Sequence, residues 1–376
     1  MSAWRPRRAF ADSGSGARVE VVTDGRDAEA LRSQWDALVE RAGAISWGTP
    51  AWVLGWWRAY RPSARLRLVA VFDHDELVAV GPFCEVGPAG LRLVRFLGEL
   101  HQPKRIVTAP GRESAAGLVW DALRRRGSAL DLFDLEDAPG SGYRSLVEDP
   151  RWSVFDEPAD SCSRITVTTT ADDYLAARGS LSRDKERVRR KLERDGRRVE
   201  VVWADTQSEI EAVLPAMASI AAVAQRDRYK PGELDELAGG SLPAAVGAMA
   251  RAGRAHVTLV RVDGHDAAFH IALTGGASAS GHLMAYATEW APYAPGVRCL
   301  EESFRWAVGT GVREFDLGAG IDDYKRRWGG DEYATRRVIA APSAAGLTLA
   351  QAGITFRARV TDLRDRGAAR RVVGTV

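Results

Sequence analysis

The chain has 376 residues, of which 45% are hydrophobic, enough for packed cores in two domains and too many for a disordered chain or a small stapled fold. Its 52 basic and 50 acidic residues leave a formal charge of only +2, so the overall balance excludes an argument for bulk nucleic-acid binding, and any such claim must rest on a local patch. Cys84, Cys162 and Cys299 are far apart and lack metal-ligand spacing, which points to small buried hydrophobes, no metal site and a reduced cytoplasmic setting. No segment approaches the roughly 18 continuous apolar residues of a membrane span, and no apolar stretch follows the basic N-terminus, so a soluble, unexported protein is expected.

Residues 1–16 are rich in Ser, Gly and Arg and read as a mobile leader. A first domain is expected over 17–160. It opens with the strand RVEVVT, then a helix over 28–40 whose Leu31, Trp35, Leu38 and Val39 recur at helical spacing. A second helix spans 50–60, with Thr49 as N-cap and Pro50 at its first position. Trp52, Val53, Trp56 and Trp57 crowd that helix and read either as core or as an aromatic ligand platform. LRLVAVF and ELVAVGPF, separated by DHD, predict a hairpin. LRLVRFL, KRIVTA and ALDLFDLE extend the sheet, with a helix over 113–126 between the last two.

A second domain is expected over 161–345, beginning with SRITVT. Residues 182–198, SRDKERVRRKLERDGRR, form a strongly charged helix with Ser182 as N-cap and Gly196 at its stop. Only Val188 and Leu192 give it an apolar anchor. It reads either as a solvated helix laced by i,i+4 pairs or as a basic rim for a phosphate-rich ligand. The strand VEVVWA, helices over 208–225 and 242–253, and a three-stranded meander over 256–290 follow, with turns at Asp263-Gly264 and over 275–280. A late strand, RRVIAAP, and a helical tail over 347–366, within a C-terminal segment 346–376, close the chain. Hairpins combined with one strand-helix-strand crossover, repeated twice, make an α+β arrangement.

The densest chemistry lies in 291–330, APYAPGVRCLEESFRWAVGTGVREFDLGAGIDDYKRRWGG. A Pro-Gly turn opens a helix, which returns through a Gly-rich turn to the FDLG strand and a loop bearing Asp322, Asp323, Tyr324, Lys325 and Trp328. Helix N-termini bind anions through unpartnered N–H groups and the macrodipole. A phosphate-bearing donor at Pro295, Gly296, Val297 and Arg298 is therefore one reading, and an ordinary helix start after a turn is the other. Leu300, Phe304, Ala307 and Val308 share one face and read as core. Lys325 lies beyond a strand end, where polar groups converge on sites, and it is either a site residue or a surface lysine paired with Asp322 or Asp323. His270 and His282 lie on strands leading to this unit and could relay a proton, and Glu289 is an equal candidate as general base. No Cys-His or Ser-His-Asp spacing supports a covalent intermediate, which favours direct transfer.

WDALVERAGAISWGTPAWVLGWW, RDKERVRRKLERDG and above all the spaced Tyr-x-Pro-Gly, Phe-Asp-Leu-Gly and Tyr-Lys-x-x-Trp series resemble the GNAT-fold acyltransferases of the CelD type, related in fold to the FemABX aminoacyl transferases. The resemblance runs from Trp35 to about Ala340. It implies two tandem GNAT-like domains, each a mixed, mostly antiparallel sheet flanked by helices, with the donor site in the second. It implies N–H groups of Val297, Arg298 and Cys299 facing a pyrophosphate, although the usual Gly-rich phosphate loop is absent, which leaves the donor open. It also implies that Lys325 stabilises negative charge on the tetrahedral intermediate or the donor. Asp316 would orient Lys325 or the acceptor amine, and Tyr324 and Trp328 would pack the loop against the sheet beside the donor. The implied activity is N-acyl transfer from acyl-CoA, a co-substrate with no tightly bound cofactor, to a small-molecule amine such as an amino sugar or amino acid, in envelope, polysaccharide or specialised-metabolite synthesis. Aminoacyl transfer from aminoacyl-tRNA and a non-catalytic binding role are the alternatives.

Overall fold

The structure, a computed structural model, describes residues 9–11, 16–61, 63–86, 92–98, 102–227, 241–320 and 323–356. β-branched and aromatic runs broken by short polar turns make antiparallel strands first. β1 (Ala9–Ala11), β2 (Ala17–Val22), β3 (Arg65–Asp73), β4 (Glu76–Val86) and β5 (Leu93–Phe96) pair in that order. Part of the expected mobile leader is thus a strand, since Ala9–Ala11 pairs with β2. KRIVTA supplies only the two-residue β6 (Val107–Thr108) against β4. β7 (Ala129–Glu136) then joins β5 in parallel. A parallel partner needs a crossover, and the helix Ala115–Arg124 provides it.

The second half repeats this order. β9 (Val199–Ala204), β10 (Ala255–Val262), β11 (His265–Gly275) and β12 (Ser278–Tyr286) are antiparallel neighbours. β13 (Glu314–Ala319) joins β12 in parallel after the helix Pro295–Gly309. Antiparallel strands with one parallel strand reached over a helix, present twice, are the expected α+β pattern.

Two strands then cross between the halves. β8 (Ser153–Thr166), which follows β7 in the chain, pairs with β13 of the second half. β14 (Asp331–Ala341), which follows β13, pairs with β7 of the first. β8 and β14 also pair with each other, so the strands form one continuous mixed sheet. The expected boundary at 160/161 falls inside β8. Sequence reading found only the apolar ends of these two strands, because polar residues and Pro158 fill the rest. The ladder hydrogen bonds come from the other half.

The Trp-rich helix Pro50–Tyr60 starts as expected, with the Thr49 hydroxyl accepting from the Trp52 N–H at 3.2 Å. Trp52, Val53 and Leu54 are fully buried, so the helix is core. A Cβ at Gly55 would lie 2.7 Å from that of Ala248, so only glycine lets this helix approach Ser241–Arg251 so closely. That contact joins the cores of the two halves. Cys84, Cys162 and Cys299 are buried. The charged helix is Gly179–Arg194, and it starts before Ser182. Ser182 is therefore interior, with its hydroxyl donating back to the Leu175 carbonyl at 3.4 Å. The final helix is described over 344–356, and the rest of the expected tail and Asp322 lie outside the described residues.

Candidate active site

A fork in the sheet positions the site. β12 and β13 pair only from Ser278–Ser280 against Glu314–Asp316, although both strands run on. Two irregularities sit where they part. Ile271 faces Leu283 while Ala272 faces Gly281, leaving His282 as a bulge, and the β13 register against β8 shifts between Asp316 and Gly318. Bulges bend strands and interrupt pairing. The fork thus lies at the C-terminal ends of two parallel strands joined over a helix, where open sheets place ligands.

The helix Pro295–Gly309 starts beside it. Ala294, in the left-handed conformation at φ 47°, precedes it and no side chain caps it. The Arg298 N–H is bonded to the Ala294 carbonyl at 3.2 Å, and Cys299 follows inside the helical ladder. The expectation that Val297, Arg298 and Cys299 supply the open donors is corrected by one residue toward the N-terminus. Among the described residues, the N–H groups of Gly296 and Val297 have no acceptor, while Pro295 has no N–H to give. The Arg298 side chain turns along its own helix to Glu302 at 2.9 Å.

Over this helix start lies a cavity of about 460 Å³. Val199, Val201, Val260 and Val262 of β9 and β10 form one wall, and Tyr293, Pro295 and Val297 another. The charged helix covers it with Leu181, Val188 and Leu192, and Tyr324 and Trp328 close the far end. Lys185, Arg189, Arg298 and Arg327 stand among the lining residues, giving a basic rim to an apolar interior. The charged helix has two different faces. Its inner face lines the cavity, while outward Glu186 pairs with Arg190 and Lys191 with Asp195, and Arg189, at the cavity edge, also reaches Glu186.

Lys325 is 4% exposed, on the short helix Asp323–Trp328, rather than on the surface. Its Nζ donates to the carbonyls of Gly318 and Ala319 at the end of β13. It is not oriented by Asp316, whose carboxylate takes the Gly318 N–H at 2.7 Å, the Tyr333 hydroxyl, and Arg164 at 3.4 Å. Burial lifts the Asp316 carboxyl above its ordinary range against the pull of Arg164, Tyr333 and that N–H. Arg164 also meets Glu136 at 3.2 Å. Burial pushes Glu136 up, but Arg105 and Arg164 outweigh it and hold the carboxyl below its usual range. This charged cluster ties β7, β8, β13 and β14 together just behind the fork. Trp328 is buried in the core with Phe304 and Phe315, and Tyr324 packs against that cluster while lining the cavity.

His270 lies on β11 beside the fork. Its Nδ1 is 2.8 Å from Ser303 Oγ, and a Cβ at Gly281 would fall 2.9 Å from its Nε2. Burial first, then His256 and His282, press its pKa down to about 3. His282 is held between Trp47 and Trp52, at 5.4 and 5.0 Å between ring centroids. Glu289 is exposed on the turn Thr288–Tyr293. Sequence reading missed Arg164, Tyr333, Ser303 and Gly281. Ser303 could have been flagged as a polar residue beside the apolar stripe of its helix, whereas the others gain meaning only through strand pairing.

Antiparallel strands, a parallel crossover that forks, and a helix aimed at the fork define a GNAT-like α+β fold. Residues 179–326, which include the basic helix, the fork and Lys325, match the acetyltransferase (GNAT) domain. Solved structures agree on the fold over most of the chain. FemX is 12% identical, with 82% of this chain and 95% of that chain covered at a TM-score of 0.61. The C-terminal domain of a protein provisionally assigned as a lysylphosphatidylglycerol synthetase, from Agrobacterium fabrum, is 14% identical, with 88% and 97% covered and a TM-score of 0.53. L-PGS from Bacillus licheniformis is 14% identical, with 89% and 96% covered and a TM-score of 0.52. No curated protein sequence matches the chain.

Proposed function

We propose that the chain is an N-acyltransferase that moves an acyl group directly from acyl-CoA to a small amine, such as an amino sugar or amino acid. The observation that carries this reading is the pair of unclaimed N–H groups, Gly296 and Val297, opening under a basic rim onto an apolar cavity beside the fork. A CoA thioester has matching parts: phosphates for the helix start and rim, and a long, less polar arm for the cavity. The thioester carbonyl then lies at the fork, where β12 has lost its β13 partner and its N–H groups can stabilise an oxyanion. Holding donor and amine together supplies the orientation that direct transfer needs. Lys325 acts by fixing the end of β13 and by adding positive charge at the mouth of the fork. Among the described residues no helix is long and apolar enough to cross a membrane, and a cytoplasmic site of action is part of the proposal.

The test is a thermal-shift series with acetyl-CoA and longer acyl-CoAs, followed by thiol release with an amine panel. Native-state binding at 100 times Kd stabilises by about 2.7 kcal/mol, so a clear rise in Tm is expected. No shift with any CoA thioester overturns the reading. A second reading, aminoacyl transfer from tRNA, is favoured by one observation: Arg183, Arg187, Arg190 and Arg194 line a separate groove on the charged helix. It requires RNA binding that weakens steeply with salt, and salt-insensitive or absent binding rules it out.

A further inference from the structure

Beneath the helix Pro295–Gly309 runs a file of hydrogen-bonding side chains that no cap, turn or strand pairing calls for. Thr258 on β10 sits opposite His270 on β11, His256 lies two residues back on the same face, and Ser303 comes down from the helix. Asp205 Oδ1 is 2.6 Å from His256 Nδ1, and His256 Nε2 is 2.8 Å from Thr258 Oγ1. Thr258 Oγ1 is 2.9 Å from Ser303 Oγ, which is 2.8 Å from His270 Nδ1. His256, Thr258 and Ser303 are fully buried and His270 is 4% exposed, whereas the Asp205 side chain is 47% exposed. One end of the file is in water and the other is at the fork.

The file has a direction. An ionised carboxylate only accepts, so Asp205 fixes the His256 proton on Nδ1 and leaves its Nε2 as an acceptor. Thr258 must then donate to His256, Ser303 to Thr258, and His270 to Ser303 through Nδ1–H. That leaves His270 Nε2 as a bare lone pair. Among the described residues Nε2 makes no hydrogen bond, and it faces the α-carbon of Gly281, whose missing side chain makes room for it.

We infer that His270, Ser303, Thr258, His256 and Asp205 form a proton relay that takes the proton released by the acceptor amine at the fork and delivers it to solvent. The inference rests on the acyl-transfer reading above. As the nitrogen–carbon bond forms and the carbon–sulfur bond breaks, the amine proton passes to His270 Nε2. The Nδ1 proton of His270 moves to Ser303, that of Ser303 to Thr258, that of Thr258 to His256 Nε2, and the His256 Nδ1 proton to Asp205. Asp205 yields it to water, and the departing thiolate takes one proton from solvent. His270 is the catalytic base in this scheme, and the other four groups position and discharge it. Burial makes both imidazoles poor places to hold a charge, so the proton is passed on rather than stored.

The test uses the full chain with ¹⁵N-labelled histidine. At pH 7, NMR is expected to show His256 and His270 both protonated on Nδ1 with Nε2 bare. Thr258→Val cuts the file, so Ser303 turns its hydroxyl to His270 Nδ1 and His270 switches to the Nε2–H tautomer while His256 keeps its own. Asp205→Ala, at the exposed end and safe for folding, is expected to release both rings into tautomer mixtures. A wild-type His270 protonated on Nε2, or a His270 tautomer indifferent to both substitutions, overturns the relay. With acetyl-CoA and the amine panel, Thr258→Val should lower kcat about 10- to 100-fold at unchanged KM for acetyl-CoA and simplify a multi-proton solvent isotope effect to a single-proton one. Unchanged kcat and isotope effect in that variant also overturn it. If the wild type transfers no acyl group from acetyl-CoA or the longer acyl-CoAs while the tautomers are as stated, the acyl-transfer reading fails and the built proton path stands.

Discussion

Acid should expose the cost of keeping His270 neutral. Its folded pKa of about 3 lies below the ordinary value of 6.5, so between those limits the unfolded chain binds a proton that the folded chain refuses. Stability from this residue is intact above pH 6.5 and falls as pH drops toward 3. At about 1.36 kcal/mol per pH unit, the loss between pH 7 and pH 4.5 comes to about 2.5 kcal/mol from this one imidazole. His270→Gln keeps a hydrogen-bonding group near Ser303 but cannot titrate. Urea unfolding of both proteins at pH 7 and at pH 4.5 gives four free energies, and the difference of differences removes pH-independent packing effects and every titrating group not coupled to His270, leaving His270 with its smaller coupling to His256 and His282. The wild type should lose about 2.5 kcal/mol more than the variant on acidification. Equal acid losses would refute the reasoning, because they would mean that His270 takes up its proton equally well in the folded chain.

Gly281→Ala places a methyl group 2.9 Å from His270 Nε2, so the ring must move. CoA-thiol release should fall about 10- to 100-fold while the far-UV circular dichroism spectrum stays unchanged. Gly275→Ala drives a methyl group to 2.7 Å from Ser46 Cα and 2.8 Å from Ser46 N, backbone that cannot swing aside, and urea unfolding should show a loss of about 1–3 kcal/mol. Arg164→Met leaves Glu136 and Asp316 buried without their shared guanidinium, and a loss of about 3–5 kcal/mol is expected by the same measurement. Adding Glu136→Gln to that variant should recover part of it.

Much of the fold was legible where local signals agree. Thr49 and Pro50 mark a helix start, DHD marks a hairpin, and the Pro295 helix between two strands marks a crossover, because each depends on neighbours in the chain. β8 and β14 were only partly legible, since their polar stretches become strands through partners more than a hundred residues away, as in the pairing of Arg337 with Glu157. The candidate site divides in the same way. The helix start and Lys325 could be read from one segment, although Lys325 reaches backbone carbonyls rather than Asp316. His256, Thr258, His270 and Ser303 each look like an isolated polar residue in sequence. Only two paired strands and the helix above them place these atoms in one file.

The crossing of β8 and β14 also governs how the chain can be made. Each half surrenders its last strand to the other, so neither half's part of the sheet is complete until residue 341 has been synthesised. Until then β7 and the free side of β8 are open edges, and open edges invite pairing with other chains. Such long-range closure is slow. Splitting the protein into separate halves would therefore give two fragments that each lack a strand held by the other, and the natural product of mixing them is reassembly rather than independent folding.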